Sequence, residues 1–143
     1  MPTWLSPHFT LEEFTVTQHR DIDNIPPDDL QPALHQTAAG LESVRRLLDD
    51  HAVIVTSGYR SARLNRAVGG ASHSAHVRGE AVDFICPEFG DVAAIVRRVA
   101  AGPVRFDQLI DEGRWAHLSF DPRMRGEVLK RTPAGTYERI LCA

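Results

Sequence analysis

Two side chains that bind metals well occur close together in the segment from Ser74 to Asp83, which reads Ser-Ala-His-Val-Arg-Gly-Glu-Ala-Val-Asp. His76 lies on a predicted loop, and Asp83 lies inside an apolar run that predicts a strand. A carboxylate among apolar neighbours is costly to bury unless a cation or strong hydrogen-bond donors meet it. The spacing therefore allows two interpretations: Asp83 is a structural residue bonded to loop amides, or it binds zinc together with His76.

A second histidine of this kind lies on a predicted strand further along the chain. Side chains alternate in a strand, so Trp115, His117 and Ser119 share one face. A single histidine there can simply be packed and hydrogen-bonded. With His76 and Asp83, however, His117 would give three metal ligands and leave a fourth position open. That is the arrangement of a catalytic zinc site rather than of a closed structural one.

Four motifs, which follow one another in a characteristic order, together resemble one known family. They are Ser74-x-His76-x-x-Gly79-x-Ala81-x-Asp83, Trp115-x-His117-x-Ser119, Ser57-Gly58-Tyr59-Arg60-Ser61 with Asn65, and the early stretch His8-Phe9-Thr10-Leu11-Glu12-Glu13-Phe14. On these residues, from Leu5 to Phe120, the chain is similar to the zinc D-alanyl-D-alanine carboxypeptidases. That family also contains the L-alanyl-D-glutamate endopeptidases of phage lysins, whose N-terminal stretch the early motif resembles.

The resemblance implies a zinc peptidase that hydrolyses a bond in the stem peptide of bacterial peptidoglycan. His76, Asp83 and His117 would bind one Zn²⁺ per chain. Arg60 would bind or polarise a substrate oxygen, for which its planar fork is suited; the alternative is a surface ion pair at a strand end. Ser74 would orient the neighbouring ligand or bind substrate, or it is a plain loop hydroxyl.

The general base is the residue at which this chain departs from the family pattern. Several members carry a carboxylate three residues before the last histidine ligand, and Arg114 occupies that position here. We predict that Glu112 is the base and acts with Arg60, because a bend at Gly113 would bring its carboxylate over the site. Asp111 is the alternative base, and a third reading is that both carboxylates only solvate the turn.

The elements that must position these residues indicate an α+β fold. Helices are predicted to begin at Thr10, with a capping box, and to cover residues 30–48, 61–68 and 91–99. Strands are predicted at residues 52–56, 81–85, 106–110 and 115–120, the last two as a hairpin, with one or two strand-like runs after residue 122. This order favours a small, mostly antiparallel sheet with helices packed on one side. The resemblance implies a zinc site at the sheet, as in hedgehog-like and DD-peptidase-like folds.

Length and composition predict a single domain over residues 1–143, with its core at residues 5–120 and a strand-like tail at 121–143. The resemblance implies that it is a zinc peptidase domain. The 16 Lys and Arg against 19 Asp and Glu give a formal charge of −3 without a basic run, which argues against nucleic-acid binding. No apolar stretch approaches the ~20 residues that insertion into a membrane needs. Cys86 and Cys142 lack metal-site spacing and are predicted to be reduced thiols.

The N-terminus lacks the basic and apolar regions of a Sec signal peptide. We therefore expect synthesis in the cytoplasm and action at the bacterial cell wall, after release or as part of a phage particle. We also expect a monomer.

Two other functions are compatible with the residues. Arg114 in place of a carboxylate indicates a catalytically inactive zinc-binding module that recognises wall peptides or a protein partner. Alternatively, His76 and Asp83 only bond each other in a metal-free interaction domain. The sequence leaves open whether a peptidase of this kind would be a carboxypeptidase or an endopeptidase.

Overall fold

The structure, a computed structural model, describes residues 1–140. Within that range the helices α1 to α4 span Leu11–Phe14, Gln31–Leu47, Ala62–Ala67 and Val92–Ala101. The strands β1 to β8 span Trp4–Ser6, Phe9–Thr10, Ile54–Ser57, Ala81–Ile85, Gln108–Asp111, Ala116–Ser119, Glu127–Arg131 and Tyr137–Arg139. Short 3₁₀ helices span Asp28–Leu30 and Ala75–Arg78. The prediction for Cys142 falls outside the described residues.

Six of these strands form one mixed sheet in the order β3-β4-β6-β5-β7-β8, beside a two-stranded ribbon of β1 and β2. Neighbouring strands in the sheet are antiparallel except for β5 and β7, which are parallel. The parallel pair arises because the chain crosses over after β6 and returns on the far side of β5. The predicted α+β fold with a mostly antiparallel sheet is confirmed.

The helices cover one face of this sheet, as predicted. Val82 and Phe84 of β4 are fully buried in a core shared with α2 and α4. Asp83 lies between them in sequence and therefore points to the opposite face, because side chains alternate along a strand. The predicted apolar stripe of α2 and its C-terminal cap is fully buried and consists of Leu34, Ala38, Leu41, Val44 and Leu48. The other face of the central strands is thus left for polar side chains.

Side-chain caps confirm three predicted helix starts. Thr10 and Glu13 form a capping box at α1. The side chains of Ser61 and Asp91 each accept a backbone N–H from the first turn of α3 and α4. Such caps satisfy N–H groups that a helix leaves unpaired at its beginning. Over residues 1–140, no helix has both the length and the apolar character that crossing a membrane requires.

Several element boundaries differ from those predicted. β3 begins at Ile54 and continues to Ser57, because Ser57 still pairs with β4 opposite Asp83. The β1–β2 ribbon was not predicted, since strands of three and two residues are too short to show a period. The tail contains two strands, and it belongs to the main sheet because β7 pairs with β5 and Val128 packs against the core.

An ion-pair cluster joins the loop that carries His76 to the segment after β6. Asp121 Oδ2 accepts a hydrogen bond from Arg78 Nη2 at 2.8 Å. Asp121 Oδ1 accepts from the backbone N–H of Arg123 at 2.9 Å and from its Nε at 3.0 Å. The hydrogen bonds from Arg123 are the main cause that lowers the pKa of Asp121 to about 2.

Acid is expected to weaken the fold through Asp121. Its pKa of about 2 in the folded protein lies below the value of about 3.9 in an unfolded chain. Its stabilising contribution is therefore present above about pH 4 and is lost as the pH falls toward about 2. Urea unfolding of the wild type and of Asp121→Asn should give a difference in unfolding free energy that shrinks over this range. A difference that does not change with pH would contradict the prediction.

Candidate metal centre

Three side chains that can bind a metal, His76, Asp83 and His117, converge on the open face of the sheet and form what we call the His-Asp-His cluster. Asp83 Oδ1 lies 3.3 Å from His76 Nε2 and 2.9 Å from His117 Nδ1. One ligand atom from each residue lies within 4.8 Å of the others, and residues 1–140 contain one such group. The sequence motifs therefore meet in space, although they are far apart along the chain.

Strand register places Asp83 and His117 side by side. Asp83 on β4 lies directly opposite His117 on β6, and opposed residues of a ladder point to the same face. Ser57 on β3 lies opposite Asp83 on its other side, and Ile110 on β5 lies opposite His117. The two residues thus lie on interior strands, whose backbones are hydrogen-bonded on both sides.

His76 reaches the cluster from the 3₁₀ helix Ala75–Arg78 rather than from the sheet. Ser74 Oγ accepts a hydrogen bond from the backbone N–H of His76 at 3.2 Å and caps this helix. Gly79 ends it with φ of 72°, a left-handed conformation that favours glycine. The serine and glycine of the motif therefore shape the turn that presents His76.

A backbone carbonyl fixes the ring of His76. Its Nδ1 donates a hydrogen bond to the carbonyl of Gly58 at 2.7 Å. With the proton on Nδ1, Nε2 keeps a free lone pair, and Nε2 is the nitrogen that faces Asp83. Metal-binding histidines almost always have such an outer partner, which sets both tautomer and orientation.

Replacing Gly58 by alanine should disturb this arrangement. A Cβ at Gly58 would overlap the backbone of Phe14, so the backbone at one of these residues must shift, and a shift at Gly58 disturbs the carbonyl that holds His76. We expect a loss of about 1–3 kcal/mol in unfolding free energy and about 10–100-fold weaker zinc binding. Zinc titration and urea unfolding measure the two effects. Gly90→Ala is the control, because its Cβ would meet only the Ala94 side chain; equal zinc affinity in both variants would contradict the prediction.

The protonation states of Asp83 and His76 suit metal binding. Burial alone would raise the pKa of Asp83, but the charges of and hydrogen bonds from His76 and His117 outweigh it and hold this pKa well below its ordinary value. Burial lowers the pKa of His76. At neutral pH the cluster therefore offers a carboxylate oxygen and a neutral imidazole nitrogen, the protonation states in which these side chains bind metals.

Arg60 lies against the carboxylate of Asp83 and is mostly buried. Its Nε donates to Ser57 Oγ at 3.2 Å and its Nη1 to Asn65 Oδ1 at 3.2 Å. Its Nη2 donates to Asp83 Oδ2 at 3.4 Å. A guanidinium has five N–H donors, so two remain for another oxygen. Arg60 also lines the adjacent cleft, which places those donors near a site where a substrate can bind.

Strand register separates the two carboxylates proposed as general base. Asp111 lies opposite Ala116, which is fully buried on the helix-covered face. Its Oδ1 accepts the backbone N–H of Gly113 at 2.9 Å, within the turn. Glu112 follows β5, and continued alternation places its side chain on the face of His117. The structure therefore favours Glu112 over Asp111 as the carboxylate available to the cluster.

Glu112 interacts with Arg60 through its charge and with Tyr137 through a hydrogen bond. Burial lowers the pKa of Arg60, and the charges of Asp83 and Glu112 oppose that shift. Glu112 Oε1 accepts a hydrogen bond from the hydroxyl of Tyr137 at 2.8 Å. Arg114 is exposed, so the position where the family pattern has a carboxylate faces solvent here.

Two clefts adjoin the cluster on different sides. The first, of about 380 Å³, is lined by Arg60, Asp83 and Trp115, and its apolar wall includes Val16, Leu64 and Val68. The second, of about 230 Å³, is lined mainly by polar side chains that include Ser74, Gln108, His117 and Ser119. Trp115, two residues before His117, lines the first cleft, and Ser119, two residues after it, lines the second, so the clefts lie toward opposite ends of the segment that carries His117.

Two other histidines and the buried cysteine lie outside the cluster. His73 is exposed and lines the second cleft, and His8 pairs with Glu42. Cys86 is a buried free thiol. Sequence reasoning gave no role to Tyr137, whose contact with Glu112 depends on long-range strand pairing.

The donor set fits a zinc ion. Two imidazole nitrogens and one carboxylate oxygen are a usual set of three protein ligands at catalytic zinc sites, where the fourth position stays open. The hydrogen bond from His76 to Gly58 supplies the outer partner that such sites have. The cluster could therefore hold a metal ion.

The comparisons with known proteins agree with this geometry. A family model described as Peptidase M15 matches residues 7–119, which is most of the chain and includes the whole His-Asp-His cluster. No curated protein matches the chain significantly.

Proposed function

From the premise that the chain belongs to the peptidase M15 family, we propose that it is a zinc-dependent peptidase that hydrolyses a peptide bond in the stem peptide of bacterial peptidoglycan. Membership supports a zinc metallopeptidase that acts on peptidoglycan in general. The observation that carries the narrower proposal is the His-Asp-His cluster, held open between two clefts.

In this proposal His76, Asp83 and His117 hold one zinc ion per chain. Zinc in such a site would polarise a carbonyl and lower the pKa of water to about 7. His76 would bind through Nε2, because its Nδ1 is engaged with Gly58. His117 would bind through Nδ1, the nitrogen that faces Asp83.

Glu112 moves the protons. Its Oε1 is engaged by the Tyr137 hydroxyl, so Oε2 is the oxygen that accepts a proton from water as the water oxygen attacks the scissile carbonyl carbon. As the carbon–nitrogen bond breaks, the same Oε2 returns that proton to the leaving nitrogen. The products are a carboxylic acid and an amine, and Glu112 is again a carboxylate.

Arg60 binds substrate oxygen in this scheme and orients Asp83. Its two unengaged N–H donors suit either a carboxylate of the stem peptide or the oxyanion that develops during attack. Ser74 shapes the turn of His76 through its hydrogen bond to the backbone. Its place at the second cleft allows it to contact bound peptide as well.

The two clefts favour an endopeptidase over a carboxypeptidase. A carboxypeptidase needs space for a chain on one side of the cleaved bond and only a single residue on the other. Here space adjoins the cluster at Asp83 and also at His117, so a peptide can continue past the cluster in both directions. The apolar wall of the first cleft suits small aliphatic side chains.

Digestion of purified muropeptides, with mass-spectrometric detection of the products, tests the proposal. Zinc-loaded protein should release peptide fragments from within the stem, whereas loss of a single terminal alanine would identify a carboxypeptidase instead. Chelator-treated protein and Asp83→Ala are the controls. Intact muropeptides after incubation with zinc-loaded protein would overturn the proposed function.

The proposal extends to the setting in which the enzyme acts. The early motif that begins at His8 resembles phage-lysin members, and we include action on the wall as a lysin or as part of a phage particle. Purified protein added to bacteria with a permeabilised outer membrane should lower their turbidity. Unchanged turbidity, with muropeptides still cleaved, would separate the chemistry from this biological role.

A further inference from the structure

Strands β7 and β8 form a hairpin that lies beyond the region matched by the family model. One side chain of this hairpin contacts Glu112, the proposed general base. The match ends at residue 119, and β7 and β8 follow it. The Tyr137 hydroxyl, on β8, donates a hydrogen bond to Glu112 Oε1 at 2.8 Å. We infer that Tyr137 is a positioning residue that holds Glu112 in place for proton transfer, an inference that rests on the function proposed above.

Strand register explains how Tyr137 comes to face Glu112. In the parallel pair, Asp111 lies opposite Lys130, so the next step along the strands aligns Glu112 with Arg131. Arg131 in turn lies opposite Tyr137. Tyr137 is therefore aligned with Glu112 across the sheet and lies two strands away. The backbones of the two residues are about 9–10 Å apart, a distance that a tyrosine and a glutamate side chain can span together.

The same register places Tyr137 on the face of the His-Asp-His cluster. Ile110 lies opposite His117 and also opposite Leu129, and Leu129 lies opposite Arg139. Tyr137 and Arg139 share a face because they are two residues apart in a strand. The aromatic ring thus borders the open face of the sheet rather than the helix-packed core.

The protonation state of Tyr137 supports its role as a donor. Partial burial, the hydrogen bond to Glu112, and the charges of Glu112 and Asp83 raise the pKa of Tyr137 to about 12. The hydroxyl therefore keeps its proton at neutral pH. One carboxylate oxygen of Glu112 is fixed by this donor, and the other stays free to exchange a proton with substrate.

Tyr137→Phe tests the inference because the ring, and with it the hairpin packing, is kept. We expect kcat on muropeptides to fall about tenfold, the usual scale of one lost hydrogen bond to a charged group, with KM and zinc content unchanged. In the Glu112→Gln background the same change should lower kcat no further, because the two residues act as one unit. Glu138→Gln is the matched control, since Glu138 lies opposite Lys130 on the other face of the hairpin.

A measurement on the metal-free protein checks the contact itself. The chain has two tyrosines, so ring-labelled protein should give two assignable NMR signals. Glu112→Gln should shift the Tyr137 signal and leave that of Tyr59 in place.

Other results with these variants distinguish a failure of the Tyr137 role from a failure of Glu112 as the general base. Full activity of Tyr137→Phe beside an inactive Glu112→Gln, or a higher kcat in Tyr137→Phe, would overturn the role of Tyr137 alone. Full activity of Glu112→Gln would overturn the proposed base, and with it this inference.

Discussion

Replacing Asp83 by alanine is expected to abolish zinc binding and to lower the peptidase rate by about 10³-fold or more. The metal's stabilisation of developing charge is worth several kcal/mol, and about 1.4 kcal/mol corresponds to a factor of ten in rate. Asp83 is the central member of the cluster, because both histidines and Arg60 contact its carboxylate. Its removal takes away the anionic ligand and leaves three nitrogen-bearing groups crowded together.

Elemental analysis and thermal unfolding provide two independent readouts of this change. The wild type should hold about one zinc per chain. A roughly 100-fold excess of free zinc over its Kd should stabilise the fold by about 2.7 kcal/mol. Asp83→Ala and His76→Ala should show neither the metal nor the added stability.

His73→Ala is the matched control for these variants. His73 lies three residues before His76 but is exposed and outside the cluster, so its removal should leave the zinc content unchanged. Wild-type protein that holds no metal after zinc is supplied would favour the metal-free interaction domain. Metal that persists in Asp83→Ala would show that the cluster is not the site.

Glu112→Gln is expected to lower kcat by about 10²- to 10⁴-fold while zinc remains bound, since that is the usual contribution of a general base. Glutamine keeps the size of the side chain and can still accept the hydrogen bond from Tyr137, but it cannot take up a proton. Steady-state kinetics on muropeptides, with zinc content measured on the same samples, checks both parts of the prediction.

Asp111→Asn is the control for the neighbouring carboxylate. Asp111 lies on the strand face opposite to the cluster, and an asparagine oxygen can still accept the Gly113 N–H that Asp111 accepts now. Its activity should therefore match the wild type. Loss of activity in Asp111→Asn, together with full activity in Glu112→Gln, would make Asp111 the base. A wild type that binds zinc and cleaves nothing would favour the inactive zinc-binding module.

Much of the cluster could be predicted from the sequence, because its signals are local or periodic. Alternation along two strands places Asp83 and His117 on the same kind of face, and the serine and glycine around His76 mark a tight turn. The apolar stripe that begins at Leu34 predicts which side of α2 is buried. Each of these signals needs only a few neighbouring residues.

The sequence predicts Glu112 over Asp111 only from a bend at Gly113, and the strand face of each carboxylate could not be predicted in that way. It depends on where β5 ends and on which face Ala116 occupies, and both follow from pairing between strands. The contact of Tyr137 with Glu112 depends in addition on the parallel pairing of β5 with β7. Parallel pairs join segments separated by a crossover, so no short sequence window contains that information.

The strand order also divides the site into parts of unequal local stability. The strands that carry Asp83 and His117 are interior, whereas Tyr137 lies on β8, an exposed strand of three residues at the edge of the sheet. Edge elements with few buried contacts open at a lower free-energy cost than the core does. Mild denaturant should therefore release Glu112 from Tyr137 before it disturbs Asp83 and His117. The catalytic rate would then fall while hydrogen exchange in β4 and β6 stays slow.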